Sequence, residues 1–181
     1  MIVSILLTSA FLKNEITKNA KGIDLVVGAK GSPLQIILAS IFHIDFPSGN
    51  ISLQDANDLT KNRLVASAIP LSLGDSYEGY RIVGTTLSYP EQYKVGLNQG
   101  DWFSTSMTAT VGATVAKNLG IQIGDELESA HGLSEGGSAH DEHPFKVVGI
   151  MEPSGSVLDQ LILVSIQSVW EVLGHEEEHD H

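Results

Sequence analysis

The arrangement of the chain is set by residues 74–86, which read GDSYEGYRIVGTT. Glycine and aspartate at positions 74 and 75 follow the mainly apolar run 64–73, and residues 80–85 read YRIVGT. We predict a strand over 64–73, a turn at Gly74-Asp75 and a return strand over 80–85. The other predicted elements lie before and after this hairpin in the sequence.

Apolar runs and helix signals on both sides of residues 74–86 predict alternating strands and helices. A helix over the first 22 residues precedes a predicted strand at 23–29. Residues 34–42 are apolar enough for either a buried helix or a strand, with Ser32-Pro33 as N-cap and first helical position. The remaining elements are a helix at 53–62 with Ser52 and Asp55 as a capping box, strands at 108–111, 126–130, 145–151 and 161–165, and helices at 113–119 and 166–173. Residues 88–103 are predicted to be loop-rich.

Two further stretches accompany residues 74–86. Residues 24–33 read DLVVGAKGSP, and residues 131–149 carry His131, His140 and His143 before PFKVVG at 144–149. Together the three stretches resemble the periplasmic core domain of the MacB-like (FtsX-like) permeases of ABC transporters. They occur in this order across roughly four fifths of the chain.

The resemblance implies an α+β fold with two lobes. By analogy, a porter-like lobe of β-α-β units would comprise residues 23–75 and 153–173, and a mixed-strand, Sabre-like lobe would be inserted at 76–152. Residues 1–22 would form a preceding helix, and residues 174–181 a His- and acid-rich tail.

The same resemblance implies a place at the inner, cytoplasmic membrane, with this segment facing the periplasm between two membrane helices. The apolar run over residues 2–12 would be the stub of the first of these helices; from residues alone, an amphipathic core helix is equally expected. Implied partners are a cytoplasmic ATPase subunit, a periplasmic adaptor or lipoprotein, and a second permease copy in a homodimer. The expected role is to pass ATP-driven motion to those partners or to a substrate.

Charge and composition exclude several classes of protein. The net charge of the 181 residues is -12, which repels phosphate backbones, so a nucleic-acid partner is not expected. Cysteine is absent, which excludes disulfides and thiolate metal sites. The length is sufficient for a self-supporting core without either.

Histidines provide the candidate metal ligands. His140 and His143 lie three residues apart, His131 lies nine residues before the first of them, and His43 lies in a Pro- and Gly-containing loop. Imidazole nitrogen and carboxylate oxygen suit zinc, which is therefore the candidate cofactor. The alternative is that these are solvated loop histidines. In the tail, histidines alternate with acids, a pattern suited to collecting ions, with an expression tag as the alternative reading.

We predict a non-enzymatic domain. The literal matches to G-x-S-x-G and HExxH are GLSEG at 132–136, in a predicted Gly/Ser loop, and HEEEH at 175–179, in the His- and acid-rich tail, and neither has the strand-turn-helix or helical setting of a catalytic motif. Residues 28–33 lack the frame of a phosphate-binding loop. Two other functions stay open: a stand-alone periplasmic metal-binding module, and a zinc-dependent hydrolase built on the loop histidines.

Six aromatic residues cluster within 27 positions of the sequence and have two interpretations. Tyrosine and tryptophan favour protein interfaces, so the stretch 77–103 is a candidate partner surface. The same residues also fill β-rich cores. They are Tyr77, Tyr80, Tyr89, Tyr93, Trp102 and Phe103.

Overall fold

Strands β1 (Ser72–Tyr77) and β2 (Tyr80–Thr85) form the hairpin predicted from residues 74–86. They are seen in a computed structural model that describes residues 17–128, 130–131 and 144–170. The return strand is confirmed, but the predicted turn position is wrong. Strand β1 continues through Gly74-Asp75, where its register with β2 shifts, and the turn lies at Glu78-Gly79. Both turn residues have positive φ, 49° and 79°, which matches the twist of a two-residue hairpin.

The hairpin belongs to one mixed sheet. The further strands are β3 (Leu97–Gly100), β4 (Thr108–Val111), β5 (Glu126–Leu127), β6 (Ala130–His131), β7 (Phe145–Met151) and β8 (Leu161–Ser165). Among the described residues the strands follow the order β3-β7-β4-β8-β2-β1-β6, and β5 also pairs with β7. Strand β8 runs parallel to β2 and antiparallel to β4, so it is enclosed on both sides.

Each face of the sheet buries its own apolar cluster, because side chains alternate along a strand. In β8, Ile162 and Val164 belong to one cluster, and Leu161 and Leu163 belong to the other. The first cluster also contains buried residues of helix α4 (Ala113–Leu119), which ends at Gly120 with φ 68° as predicted. The second contains Tyr89, Phe103, Met151 and Leu158.

Residues 88–103 are more ordered than the sequence predicts. They contain the short helix α3 (Ser88–Gln92) and strand β3. Strand β3 reads LNQG and has no apolar alternation, so its strand conformation comes from pairing with β7. A 3-10 turn, Val157–Gln160, leads into β8, and residues 166–170 are helical directly after it. Residues 171–173 of the predicted closing helix lie outside the described part.

The chain divides into two compact units, residues 1–50 and residues 51–181. In the first, residues 17–19 are helical, and α1 (Pro33–Ser40) has Ser32 as N-cap and proline at its first position, as predicted. The predicted strand at 23–29 is wrong: residues 23–28 have no regular structure. Among the described residues, the backbone there has no strand partner; Gly28 and Ala29 instead contact Ile36, Ser48 and Gly49.

Helix α2 (Leu53–Thr60) begins the second unit. Its capping box is confirmed, since the Ser52 hydroxyl accepts a hydrogen bond from the Asp55 backbone N–H at 3.1 Å. The segment 64–71, predicted as strand, is irregular, and the strand begins only at Ser72.

The mixed helices and strands confirm the predicted α+β class. The lobe boundaries at 75/76 and 152/153 stay a prediction, and the observed sheet joins strands from both sides of them, since β8 pairs with β2 and β4. Residues 1–16, which hold the predicted membrane stub, lie outside the described residues. Within the described ranges, no helix reaches the length and apolar character that crossing a bilayer requires.

Candidate functional site

Of the four candidate metal ligands, His43 and His131 fall within the described residues, and His131 is the one that belongs to the sheet. It lies on strand β6, where its backbone is paired with Asp75 of β1. Close to it in sequence, Leu127 of β5 is paired with Phe145 of β7. The described residues before and after 132–143 are therefore parts of one sheet.

Carboxylates surround Tyr77, which lies two residues from Asp75 on β1. Burial raises the pKa of the Tyr77 phenol above its ordinary value, and the negative charges of Glu78, Asp125 and Glu128 raise it further. The same charges favour a cation in this region. Glu78 lies on the β1-β2 turn, and Asp125 and Glu128 lie directly before and after β5 in the sequence.

The other predicted ligands are not brought together in the described residues. His140 and His143 lie outside them, as does the tail after residue 170. His43 belongs to the first unit, where it is 5% exposed and adopts a φ of 54°. Across the ranges that the structure describes, no three His, Asp or Glu side chains are grouped so as to hold a metal.

The aromatic stretch 77–103 serves mainly as core. Tyr89 and Phe103 are 3% and 4% exposed, so the prediction that they form a partner surface is wrong. The rings of Tyr89 and Tyr93 meet edge to face, with centroids 5.5 Å apart. Burial raises the pKa of Tyr89 well above 10.0, with Tyr93 contributing. Tyr77, Tyr80, Tyr93 and Trp102 are partly buried and pack against the two apolar clusters.

Sequence reasoning missed the anchoring of the closing helix at residues 166–170. The backbone N–H of Met107 donates to Ser168 Oγ at 3.0 Å, and Ser168 Oγ lies 2.7 Å from Ser165 Oγ. Ser168 is fully buried, and its own N–H donates to Ser165 Oγ at 3.2 Å. The S-x-x-S spacing at the end of an apolar strand is a signal for this cap.

Gly84, in the 74–86 stretch, leaves room for the same helix. A Cβ on Gly84 would lie 2.6 Å from Val169 Cγ2 and 3.2 Å from Ser72 Cβ. Glycine therefore allows the closing helix to approach strand β2 closely. Val169 fills this space and is 4% exposed.

The start of β8 is fixed as firmly as its end. Asp159 accepts hydrogen bonds from the backbone N–H groups of Ser154 and Gly155, at 2.8 and 2.7 Å, and from the Ser154 hydroxyl at 2.7 Å. The Gly112 N–H donates to Leu161 O at 2.8 Å. A Cβ on Gly112 would clash with the backbone carbonyls of Leu158 and Asp159, so glycine is needed where this loop passes β4.

The glycine that ends the PFKVVG stretch, Gly149, also lies too close to another backbone segment for a side chain. A Cβ on Gly149 would overlap the carbonyl oxygen of Asp101, whose N–H donates to Val148 O at 2.9 Å. On the other side, Thr110 Oγ1 accepts from the Phe103 N–H at 2.8 Å. Gly84, Gly112 and Gly149 thus mark close contacts within the sheet or against it.

Comparison with known proteins identifies the family. The family model described as the MacB-like periplasmic core domain matches residues 1–179. No curated protein sequence matches the chain.

Two solved structures have a similar fold. The first is the periplasmic region of MacB from Actinobacillus actinomycetemcomitans, with 16% identity and a TM-score of 0.49 over 69% of this chain and 59% of that one. The second is the extracellular domain of the noncanonic ABC-type transporter YknZ from Gram-positive bacteria, with 14% identity and a TM-score of 0.48 over 68% and 67%. The chain thus spans about three fifths of the MacB region. Because the family match extends over nearly the whole sequence, the chain belongs to the MacB-like periplasmic core domain family.

Proposed function

We propose that the chain is the extracytoplasmic domain of an ABC transporter permease and passes ATP-driven motion to partners or substrate outside the cytoplasm. Its family membership supports the location. The motion would come from a cytoplasmic ATPase subunit, and the receiving partner would be a periplasmic adaptor, a lipoprotein or the transported substrate. A homodimeric permease would present two such domains.

The observation that supports motion transfer is the place of β8. This strand lies between β2 and β4, and residues 166–170 continue directly from it as a helix. A pull on that helix acts directly on β8, because helix and strand are consecutive in the chain, and the hydrogen bonds of β8 to β2 and β4 connect it to the rest of the sheet. The Ser165-Ser168 cap and Val169 join the helix itself to the sheet. Displacement at residue 170 is therefore passed to the sheet as a whole.

The location is tested by labelling in intact cells that make the full permease. The chain has no cysteine, so Leu64→Cys, at a side chain 93% exposed, gives a single reactive site within it. We expect a membrane-impermeant maleimide that crosses only the outer membrane to label this site before cell lysis. A matched Val83→Cys variant, buried in the sheet, should stay unlabelled until denaturation. Labelling of Leu64→Cys only after the inner membrane is broken would place the domain in the cytoplasm.

A zinc-linked function is a second proposal, supported by the geometry around His131. The paired residues Leu127 and Phe145 limit how far apart His131 and His143 can lie, and the charges beside Tyr77 favour a cation there. His131, His140 and His143 would be the ligands, with neutral imidazoles as donors. His43 is a less accessible donor because of its burial.

Calorimetric zinc titration tests this second proposal. In a chain ending at Gly174, which removes the competing tail, the His140→Ala/His143→Ala variant should bind zinc at least about tenfold more weakly than its parent. The parent, which lacks only the tail and keeps both histidines, is the matched control. Equal and weak affinity in both chains would remove the zinc proposal and leave the permease proposal untouched.

A further inference from the structure

The first unit exposes an unusual share of large apolar side chains. Residues 17–50 are about a quarter of the described residues, yet they hold half of the large apolar side chains that are exposed there. Leu25 is 74% exposed, Ile44 67% and Leu34 64%. Scattered single residues of this kind are ordinary, but a concentration in one small unit indicates an interaction surface.

These side chains come from three segments that contact one another. Gly28 lies against Ile36 of α1, and Ser48 Oγ donates to Ala29 O at 3.1 Å. Gln35 Nε2 of α1 donates to Phe46 O at 3.2 Å. The exposed apolar residues therefore belong to one small structure, with members Leu25, Val27, Leu34, Ile37, Ile44 and Phe46, which we call the apolar set.

Charge distinguishes this unit from the rest of the chain. Lys18, Lys21 and Lys30 are exposed in the same unit as the apolar set, and residues 1–50 have a net charge of +1. The other 131 residues carry -13, the difference between the total of -12 and this +1. Lysines next to exposed apolar side chains suit an anionic lipid surface, which attracts the ammonium groups and accepts the apolar side chains at the headgroup boundary. The acidic unit is repelled by such a surface.

We propose that residues 17–50 form a lipid-contacting surface, which rests the first unit on the anionic headgroups of the bilayer that holds the permease. The inference rests on the proposed extracytoplasmic location, which puts the domain beside a membrane. It assigns the apolar set to contact with lipid and the three lysines to attraction of the headgroups.

A local probe is needed for the test, because the apolar run at residues 2–12 can bind vesicles by itself. An environment-sensitive nitrobenzoxadiazole dye is attached to Leu25→Cys or Ile44→Cys in the full chain. The control is Leu64→Cys, which is as exposed but lies in the second unit. Emission is compared in buffer, with phosphatidylcholine vesicles, and with vesicles that also contain phosphatidylglycerol.

With anionic vesicles we expect the dye emission at positions 25 and 44 to become brighter and to shift to the blue. The emission at position 64 should not change. Each lysine near an anionic surface contributes roughly a fivefold factor, so Lys18→Gln/Lys21→Gln/Lys30→Gln should reduce the lipid-contacting population about 100-fold. A matched triple variant of exposed lysines in the second unit, at positions 61, 117 and 146, should leave it unchanged.

Two results would overturn the inference. One is unchanged emission at 25 and 44 while the chain sediments with the vesicles, which assigns binding to residues 2–12 alone. The other is a blue shift without vesicles that grows with protein concentration, which assigns the apolar set to a second copy of the chain. Neither result affects labelling of Leu64→Cys in cells, so failure here is distinguishable from failure of the proposed function.

Discussion

At the scale of single residues, close backbone contacts explain why several positions are occupied by glycine. Gly149 has no room for a Cβ beside the Asp101 carbonyl, and Gly112 has none beside the carbonyls that precede β8. A sequence shows such a glycine but not the group it meets, which comes from a distant part of the chain. The glycine of the PFKVVG stretch is therefore explained only by the sheet.

Gly149→Ala should lower the free energy of unfolding by about 3 kcal/mol, because the new methyl group must displace backbone rather than a side chain. Urea denaturation measures the change. Gly96→Ala is the matched control: its Cβ would meet Glu152 Oε2 at 2.9 Å, the movable end of an exposed side chain. A loss for Gly149→Ala no greater than for Gly96→Ala would contradict the close contact.

Tyr89 should make the fold sensitive to alkaline pH. Its folded-state pKa lies above the ordinary value of 10.0 because burial disfavours the phenolate. The neutral phenol therefore contributes stability that is complete below pH 10 and is lost as the pH rises toward the folded-state pKa. In Tyr89→Phe, urea midpoints should fall less steeply above pH 10 than in the parent chain. Equal slopes would show that Tyr89 does not titrate on unfolding.

At the scale of elements, local signals predicted the central strands well. Residues 80–85, 108–111, 145–151 and 161–165 are strands at the predicted bounds, because each is a short apolar or β-branched run. The order of these strands could not be predicted, since it depends on pairing between distant segments. The strand expected at 23–29 shows the reverse failure: these apolar residues pair with no strand in the described part of the chain and are irregular.

The candidate site was less predictable than the fold. Histidine spacing indicated ligands but carried no distances between them, and His43 and His131 belong to different compact units. The aromatic stretch allowed two interpretations, and burial of Tyr89 and Phe103 favours the core. The cap formed by Ser165 and Ser168 had a recognisable pattern, but the other partner of Ser168, Met107, lies 61 residues earlier.

Loss of the Ser168 hydroxyl should weaken the anchoring of the closing helix. Ser168→Ala removes the acceptor of the partly buried Met107 N–H, and leaving such a donor without a partner costs about 1–3 kcal/mol. Thermal or urea denaturation should show this loss. Thr60→Ala, which removes an exposed hydroxyl bonded to Asn57 O, should have an effect close to zero. Equal effects of the two variants would exclude an anchoring role for Ser168.

At the scale of the whole molecule, the two compact units differ in charge and in apolar exposure. The second has an apolar cluster on each face of its sheet, whereas the first exposes many of its apolar side chains. In a permease, the second unit would carry the motion through β8, and the first would contact the lipid surface.

The central claim is that ATP-driven motion reaches the sheet through the chain that follows residue 170. The most direct test is electron-spin distance measurement between Leu64→Cys labels in the two copies of the full permease, assembled with its ATPase in lipid nanodiscs. We predict that ATP binding shifts the distance distribution. Three glycines inserted after Trp170 should abolish the shift while ATP hydrolysis continues, whereas the same insertion at the exposed Glu78-Gly79 turn should preserve it. An ATP-dependent shift that survives the insertion after Trp170, or no shift in the parent permease, would contradict the account.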